Sequence, residues 1–120
     1  MALSKRDRDR LAGVDPRLVR LFEAVGKDPT VSFVITEGLR SKARQAELVR
    51  SGASTTFQSR HLDGRAVDVA VKLGGKVTWQ FAAYKHFADV VKKHAADLDI
   101  KVTWGGDWRT FKDGPHFQVN

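Results

Sequence analysis

The sequence GRAVDVAV, residues 64–71, places one carboxylate, Asp68, inside a run of small and β-branched apolar residues. A run of this kind between polar flanks predicts a buried β-strand, and a strand determines the direction of each of its side chains. We therefore expect Asp68 to lie out of reach of water. A buried carboxylate without a partner costs on the order of several kcal/mol, so the fold must bring a cation, hydrogen-bond donors or a metal to it.

The length and composition limit the candidates for that partner. With 120 residues the chain has the size of one average domain, and we expect residues 1–120 to form a single unit. The sequence has no cysteine, which excludes disulfides and thiolate metal sites and leaves His, Asp and Glu as metal ligands. No apolar stretch approaches the ~20 residues of a membrane span, and the N-terminus has no apolar core of a secretory signal.

The net charge of +7 predicts attraction to polyanions such as nucleic acid, anionic lipid or a phosphate-bearing cell envelope. The alternative is a basic surface that only keeps the protein soluble. No helix-turn-helix, RNP-like or zinc-finger pattern accompanies the charge, and acids are interspersed with the basic residues, as in KRDRDR. Specific binding of nucleic acid is therefore not expected.

Periodicity and turn residues predict helices interspersed with a few strands, hence an α+β fold with a small, mainly antiparallel sheet and flanking helices. Asp15-Pro16 separates two short helices near the N-terminus, and Ser41 is expected to cap a third helix with Ala43 on or near its buried side. A long helix is expected over residues 78–97, directly after a KLGGK turn. The predicted strands are residues 31–36, 65–71, 100–104 and 116–119.

Four histidines are candidate ligands, and two of them differ from the rest in context. His86 and His94 lie on the long helix about 12 Å apart, too far for one ion, and are interpreted as polar positions beside its apolar stripe. His61 ends the loop that leads into the Asp68 strand, and His116 begins the apolar strand HFQV. Two histidines and one carboxylate are a common ligand set for catalytic zinc, with a fourth position for water. In the alternative, Asp68 pairs with an arginine and the histidines are incidental.

Two further charged residues are candidates for chemistry at such a site. Asp113, in DGPH, is near enough to His116 in sequence to take a proton from a metal-bound water and return it to a leaving group. The alternative for Asp113 is an ordinary Asp-Gly-Pro turn. Arg40 is a candidate to stabilise the oxyanion formed on a carbonyl or, alternatively, the salt partner of Asp68 or Asp113.

These residues belong to three blocks that together resemble one peptidase family. SRHLDGRAVDVA fits Ser-x-His-x-x-Gly-x-Ala-x-Asp, EGLRSKARQAEL is similar to an upstream Gly-x-Arg-Ser…Gln segment, and VTWGGDWRTFKDGPHFQV is similar to a Trp-Gly-Gly-x-Trp…Asp-x-x-His block. The blocks resemble the zinc D-Ala-D-Ala carboxypeptidase and L-alanyl-D-glutamate peptidase family, and most of all its bacteriophage endolysins. They cover most of residues 36–119, and the first pattern is carried by Ser59, His61, Gly64, Ala66 and Asp68.

The resemblance implies a fold of the Hedgehog/DD-peptidase type and a zinc ion bound by His61, Asp68 and His116. It also implies Asp113 as general base and Arg40 near the scissile carbonyl. The implied reaction is hydrolysis of the L-Ala-D-Glu bond in the peptidoglycan stem peptide during host lysis. Alternatives are a zinc D,D- or L,D-carboxypeptidase that trims stem peptides, and a metal-binding domain without catalysis.

Further expectations concern targeting and the surroundings of the site. Many phage lysins append a wall-binding domain, whereas this chain ends four residues after His116, so we expect no separate wall-binding domain. Attraction of the basic surface to the anionic envelope would take its place. Without a signal, a monomer is expected to accumulate in the host cytoplasm and to reach the wall after another protein opens the inner membrane. Trp104, Trp108 and Phe111 flank the implied site, where they either line a substrate groove or fill core.

Overall fold

One small antiparallel sheet with flanking helices confirms the predicted α+β class. The computed structural model describes residues 3–52, 60–109 and 112–120. The helices in these ranges are α1 Lys5–Arg10, α2 Pro16–Gly26, α3 Lys42–Arg50 and α4 Phe81–Asp97. The strands are β1 Phe33–Glu37, β2 Ala66–Leu73, β3 Lys76–Thr78, β4 Thr103–Trp104 and β5 His116–Gln118, and short 3₁₀ turns occupy Arg60–Asp63 and Gly105–Asp107. No helix within the described ranges is both long and apolar enough to cross a membrane.

The central strand β2 divides the hydrophobic core from the opposite face of the sheet. The strands form one antiparallel sheet in the order β1-β2-β5-β4, with β3 paired to the C-terminal end of β2. Val67 and Val69 are fully buried in the core that α2 and α4 cover. Because successive strand residues point to opposite faces, Asp68 between them points away from this core. A single strand thus supplies both core and site.

Asp68 is less buried than the sequence predicted. Its side chain keeps 22% of its surface exposed, whereas the neighbouring Val67 and Val69 have none. The apolar run correctly predicted the strand, but the alternation of faces places its carboxylate on an accessible side of the sheet.

Helix α1 covers the outer edge of β1. Two of its side chains bind the backbone of Ile35: the Ile35 N–H donates to Asp7 Oδ1 at 2.9 Å, and Arg10 Nη1 donates to the Ile35 carbonyl at 2.8 Å. Asp7 is only 4% exposed. Since an edge strand presents unpaired N–H and C=O groups, these side chains take the place of a further strand. The helix therefore protects the edge as well as packing on the core.

The chain between β2 and α4 differs from the prediction. The predicted turn is present, with Gly74 and Gly75 at φ of 58° and 81°, but after it the chain returns as β3 instead of leading directly into a helix. Two glycines with positive φ are the residues that a two-residue hairpin favours. Because Thr78 belongs to β3, the long helix begins at Phe81 rather than at residue 78.

The start of α2 at Pro16 and the cap of α3 by Ser41 confirm the local predictions, while the burial of α3 does not. Asp15 accepts the N–H of Arg17 at 2.8 Å, and Ser41 Oγ accepts the N–H of Arg44 at 3.1 Å. Ala43, expected on or near the buried side of α3, is exposed, and Gln45 is the buried residue at 1% exposure.

We predict that Asp7→Ala lowers the free energy of unfolding by about 1–3 kcal/mol, because the buried N–H of Ile35 would lose its acceptor. Urea denaturation followed by circular dichroism measures the change. Asp9→Ala is the matched control, since Asp9 lies on the same helix, is 65% exposed and pairs with the exposed Lys5. Equal losses in the two variants would contradict a specific contribution from the edge contact.

Candidate metal centre

Three side chains predicted as metal ligands converge on the accessible face of the sheet. His61 Nε2 lies 3.2 Å from Asp68 Oδ1, and His116 Nδ1 lies 3.1 Å from the same oxygen. One ligand atom from each residue lies within 4.8 Å of the other two. The imidazole rings meet edge to face, with centroids 5.2 Å apart. This spacing leaves one common point that a single cation can share.

The strand register and one turn bring these residues together. Asp68 on β2 and His116 on β5 are direct cross-strand partners, and the side chains of such partners lie on the same face. His61 comes from the 3₁₀ turn Arg60–Asp63, which contacts β2. The backbone N–H of Arg40 donates to the His61 carbonyl at 2.8 Å, and this contact ties the turn to the segment after β1.

Each imidazole uses its second nitrogen for a hydrogen bond that orients the ring. His61 Nδ1 donates to the Gly38 carbonyl at 2.8 Å, and His116 Nε2 donates to Gln118 Oε1 at 2.8 Å. In neutral rings, these bonds leave the lone pairs of His61 Nε2 and His116 Nδ1 directed at Asp68 Oδ1, which is also an acceptor. Three electron-pair donors then face one another, so the arrangement requires a cation.

A divalent metal ion fits this donor set. Two imidazole nitrogens and one carboxylate oxygen, each ring held by a second hydrogen bond, are the ligands and outer contacts that zinc and related ions prefer. Without a metal, a proton is the available cation. Burial lowers the pKa of His116, but the hydrogen bond and charge of Asp68 outweigh burial and raise that pKa. Burial raises the pKa of Asp68, yet its contacts with His116 and His61 hold it well below the usual range, so the carboxylate is ionised.

A β-bulge places Glu37 opposite Asp68, and Arg40, paired with Glu37, faces the other oxygen of Asp68. The register of β1 shifts between Ile35 and Glu37, which places Glu37 opposite Asp68. Arg40 is 8% exposed, forms an ion pair with Glu37 and lies 3.6 Å from Asp68 Oδ2. Asp68 therefore faces the histidines through one oxygen and the arginine through the other. The two hypotheses from the sequence, a ligand set and an arginine partner, are both represented in the geometry.

Gln45 is a site residue that helix periodicity missed. Its buried Oε1 accepts a hydrogen bond from Arg40 Nη1 at 2.7 Å, which fixes the guanidinium together with Glu37. The buried residue of α3 is thus polar because it accepts a hydrogen bond from the charged guanidinium of Arg40. The only signal in the sequence is the Gln that closes the Gly-x-Arg-Ser…Gln segment.

The turn before β5 holds Asp113 next to the ligand set. The Asp113 N–H donates to the Gly105 carbonyl at 3.1 Å, and the His116 N–H donates to the Asp113 carbonyl at 3.2 Å. A Cβ on Gly105 would lie 2.4 Å from the Asp113 carbonyl oxygen, so only glycine allows this approach. Burial raises the pKa of the Asp113 carboxyl, and the negative charge of Asp68 raises it further. A carboxyl shifted in this direction is a better proton acceptor near neutral pH.

The three aromatic residues near the site have different positions. Trp104 is 3% exposed, and its Nε1 donates to the Gly114 carbonyl at 2.7 Å, so it fills core and holds the turn. Trp108 is half-buried, and its ring centroid lies 5.2 Å from that of His116, beside the ligand set. Phe111, and Ser59 of the first motif, lie outside the described residues.

The two histidines of α4 lie apart from the ligand set, as expected. His94 Nε2 is 2.7 Å from Asp28 Oδ2, which connects α4 to the turn before β1. His86 is exposed. Both are thus polar positions beside the buried stripe of α4.

Known proteins similar to this chain share one activity in their names. The profile of the phage L-alanyl-D-glutamate peptidase family matches residues 1–118. The chain is 42% identical over 91 residues to L-alanyl-D-glutamate peptidase of Listeria phage A118, an alignment that covers 75% of this chain and 31% of that protein. The chain thus spans less than a third of the Listeria phage relative. It is 27% identical over 113 residues to L-alanyl-D-glutamate peptidase of Escherichia phage T5, covering 91% and 82% respectively.

A solved structure extends the similarity to the whole fold. The crystal structure of Serratia marcescens L-Ala D-Glu endopeptidase ChiX superposes with a TM-score of 0.91 at 45% sequence identity. The superposition covers 100% of this chain and 90% of that one.

We predict that Gln118→Leu weakens the binding of a divalent ion by about 10–100-fold, because His116 would lose the acceptor that orients its ring. A calorimetric titration with Zn²⁺ measures the dissociation constant. Gln80→Leu is the matched control, since Gln80 is exposed and its side chain makes no capping hydrogen bond to α4. Unchanged affinity in Gln118→Leu would contradict the orienting role.

Proposed function

Because the chain belongs to the phage L-alanyl-D-glutamate peptidase family, we propose that it hydrolyses the bond between L-Ala and D-Glu in the stem peptide of peptidoglycan. The observation that carries this proposal is the convergence of His61, Asp68 and His116. The names of the relatives favour this bond over trimming by a carboxypeptidase. The raised pKa of Asp113 beside the ligand set favours catalysis over metal binding alone. Lysis of a bacterial host is the proposed biological role.

Zinc is the proposed metal, with His61, Asp68 and His116 as its ligands. Their nitrogen and oxygen donors suit it, and the hydrogen bonds to Gly38 and Gln118 support the ring orientations that it needs. The chemistry that the bound ion supplies is polarisation of the scissile carbonyl and a lowered pKa of a coordinated water.

Asp113 is the proposed general base and acid. Its carboxylate would accept a proton from the attacking water and then give it to the departing amine. The pKa raised by burial and by the charge of Asp68 supports this role, because it brings the carboxyl closer to the pH at which both transfers are efficient. The backbone contact with Gly105 holds the residue in place before the substrate arrives.

Arg40 is the proposed partner of the negative charge that develops on the carbonyl oxygen. Its guanidinium is held by Glu37 and Gln45, so little reorganisation is needed when the charge appears. Trp108, beside His116, is the proposed wall of the substrate groove. Trp104 belongs to the core instead.

We propose the following cellular setting. The protein acts as a monomer, accumulates in the host cytoplasm, and reaches the wall after another protein opens the inner membrane. The net charge of +7 holds it near the anionic envelope by an attraction that salt screens.

Digestion of purified peptidoglycan by the zinc-loaded protein tests the proposed reaction. We expect fragments with new D-Glu amino ends, identified by N-terminal labelling and mass spectrometry, and no cleavage when a chelator is present. Release of single D-Ala residues would assign the reaction to a carboxypeptidase. Absence of cleavage by a protein that holds zinc would overturn the proposed activity.

We predict that Asp113→Asn leaves zinc binding intact and lowers the rate of hydrolysis by about 10²–10⁴-fold, the usual contribution of a positioned acid–base group. Zinc titration and kcat on a stem peptide measure the two properties separately. Asp107→Asn is the control, because Asp107 lies in the same segment but is exposed and pairs with Lys92 at 2.6 Å. A variant with normal kcat would remove Asp113 from the base role.

Removal of the metal is expected to lower the melting temperature, since the three ligands lose their common partner and only the folded state binds the ion tightly. Differential scanning calorimetry with and without a chelator measures the shift. In the His61→Ala/His116→Ala double variant, the chelator should have no effect. Equal melting temperatures of the wild-type protein in both conditions would count against a bound metal.

A further inference from the structure

Exposed apolar side chains are concentrated in one short segment. Among the described residues, the large hydrophobic side chains that are exposed number five, and four of them lie between residues 73 and 81. These four, the hairpin patch, are Leu73 (56% exposed), Val77 (46%), Trp79 (67%) and Phe81 (47%). Single exposed apolar residues need no explanation, whereas a group of them marks an interaction surface.

The β2–β3 hairpin presents its apolar residues on both faces of a free tip. A Cβ added to Gly74 or Gly75 at the apex would meet nothing within 4 Å. Val77 and Lys72 are cross-strand partners, so their side chains lie on the same face of the hairpin. Leu73 follows Lys72 along β2, so its side chain projects from the opposite face. A surface laid flat against a partner needs only one apolar face. Apolar residues on both faces suit a tip that enters an apolar medium end-on.

The exposed Trp79 ring at the base of the hairpin stacks on Tyr84. The Trp79 ring lies within 8° of parallel to that of Tyr84, with centroids 6.1 Å apart. The Tyr84 hydroxyl donates to the Thr78 carbonyl at 2.8 Å and accepts the Val71 N–H at 3.2 Å, which fixes its ring. Exposed aromatic rings are typical of the boundary between hydrocarbon and water.

Lysines flank the apolar residues of the hairpin. Residues 69–88 contain three lysines and no acidic residue, although the chain as a whole contains 14 acids. Lys72 and Lys76 lie on the hairpin next to its apolar residues. Lys85, in the first turns of α4, pairs with Asp89 at 3.8 Å, so the hairpin lysines are the ones that carry the argument. Lysines beside an exposed apolar tip are complementary to anionic headgroups above a hydrocarbon layer.

We propose that the β2–β3 hairpin docks on the surface of an anionic phospholipid bilayer. Leu73 and Val77 enter below the headgroups, Lys72 and Lys76 contact the phosphates, and Trp79 lies at the interface. Asp68 precedes Leu73 by five residues on β2, so the candidate metal centre lies about 17 Å from the tip. The docked protein thus keeps this centre clear of the lipid. The inference goes beyond the proposed peptidase activity and does not depend on it.

Co-sedimentation of the full chain with large unilamellar vesicles tests the docking. We expect binding to vesicles that contain phosphatidylglycerol and much weaker binding to phosphatidylcholine alone. Leu73→Ser/Val77→Ser should lower the partition coefficient by about tenfold or more, because the buried apolar area is lost. Leu39→Ser, which changes an exposed leucine outside the patch, should bind like wild type. Melting curves check that each variant is folded.

The contribution of the hairpin lysines is separated from net charge by two matched variants. Lys72→Glu/Lys76→Glu should abolish binding, whereas Lys93→Glu/Lys101→Glu, with the same change in charge at exposed positions elsewhere, should retain most of it. Equal losses would show attraction by net charge alone and overturn the proposal. The proposal would also be overturned if the protein did not bind vesicles, or if it bound soluble glycan strands instead of vesicles. Hydrolysis of a soluble stem peptide, measured in parallel, reports on the peptidase proposal independently.

Discussion

The carboxylate of Asp68 is the constraint on which the candidate site depends. An ionised carboxylate between two core residues of a strand is stable only if cations or donors surround it. Here its two oxygens have different partners, since Oδ1 faces His61 and His116 whereas Oδ2 faces Arg40. The alternation of β2 makes this possible, because the valines on either side of Asp68 fill the core while the carboxylate points away from it.

Each group around Asp68 is also held by a further hydrogen bond or ion pair. The two imidazoles donate to Gly38 and Gln118, and the guanidinium is clamped by Glu37 and Gln45. These partners leave few alternative orientations to the side chains, so the site is organised before a metal or substrate binds. The arrangement is typical of a site that does chemistry, and the family membership of the chain agrees with that interpretation.

The two ends of β2 have different neighbours: the ligand set lies near its start, and the exposed hairpin lies at its end. Near its start, β2 pairs with β5 and carries the ligand set. Near its end, it pairs only with β1 and the short β3, and the hairpin projects from the body of the sheet. A β-strand bends little over the five residues from Asp68 to Leu73. A surface bound at the hairpin tip would therefore lie at a fixed distance from the candidate metal centre.

Local features of this protein follow from the order of its residues alone, whereas the packing of the whole chain selects which distant residues meet. The helix caps at Asp15 and Ser41 arise from short-range hydrogen bonds, and the apolar run around Asp68 predicts its strand and its need for a partner. The sequence singled out His61, Asp68 and His116 as candidate ligands and the resemblance implied zinc, and their metal-binding role stays a prediction. By contrast, Asp7 on the edge of β1 and Gln45 under Arg40 had no signal in the local periodicity. Asp7 is buried because α1 docks on the edge of β1, 28 residues further along the chain, and Gln45 is buried under Arg40, which faces Asp68 on β2. Propensity and spacing within one segment do not encode these tertiary contacts.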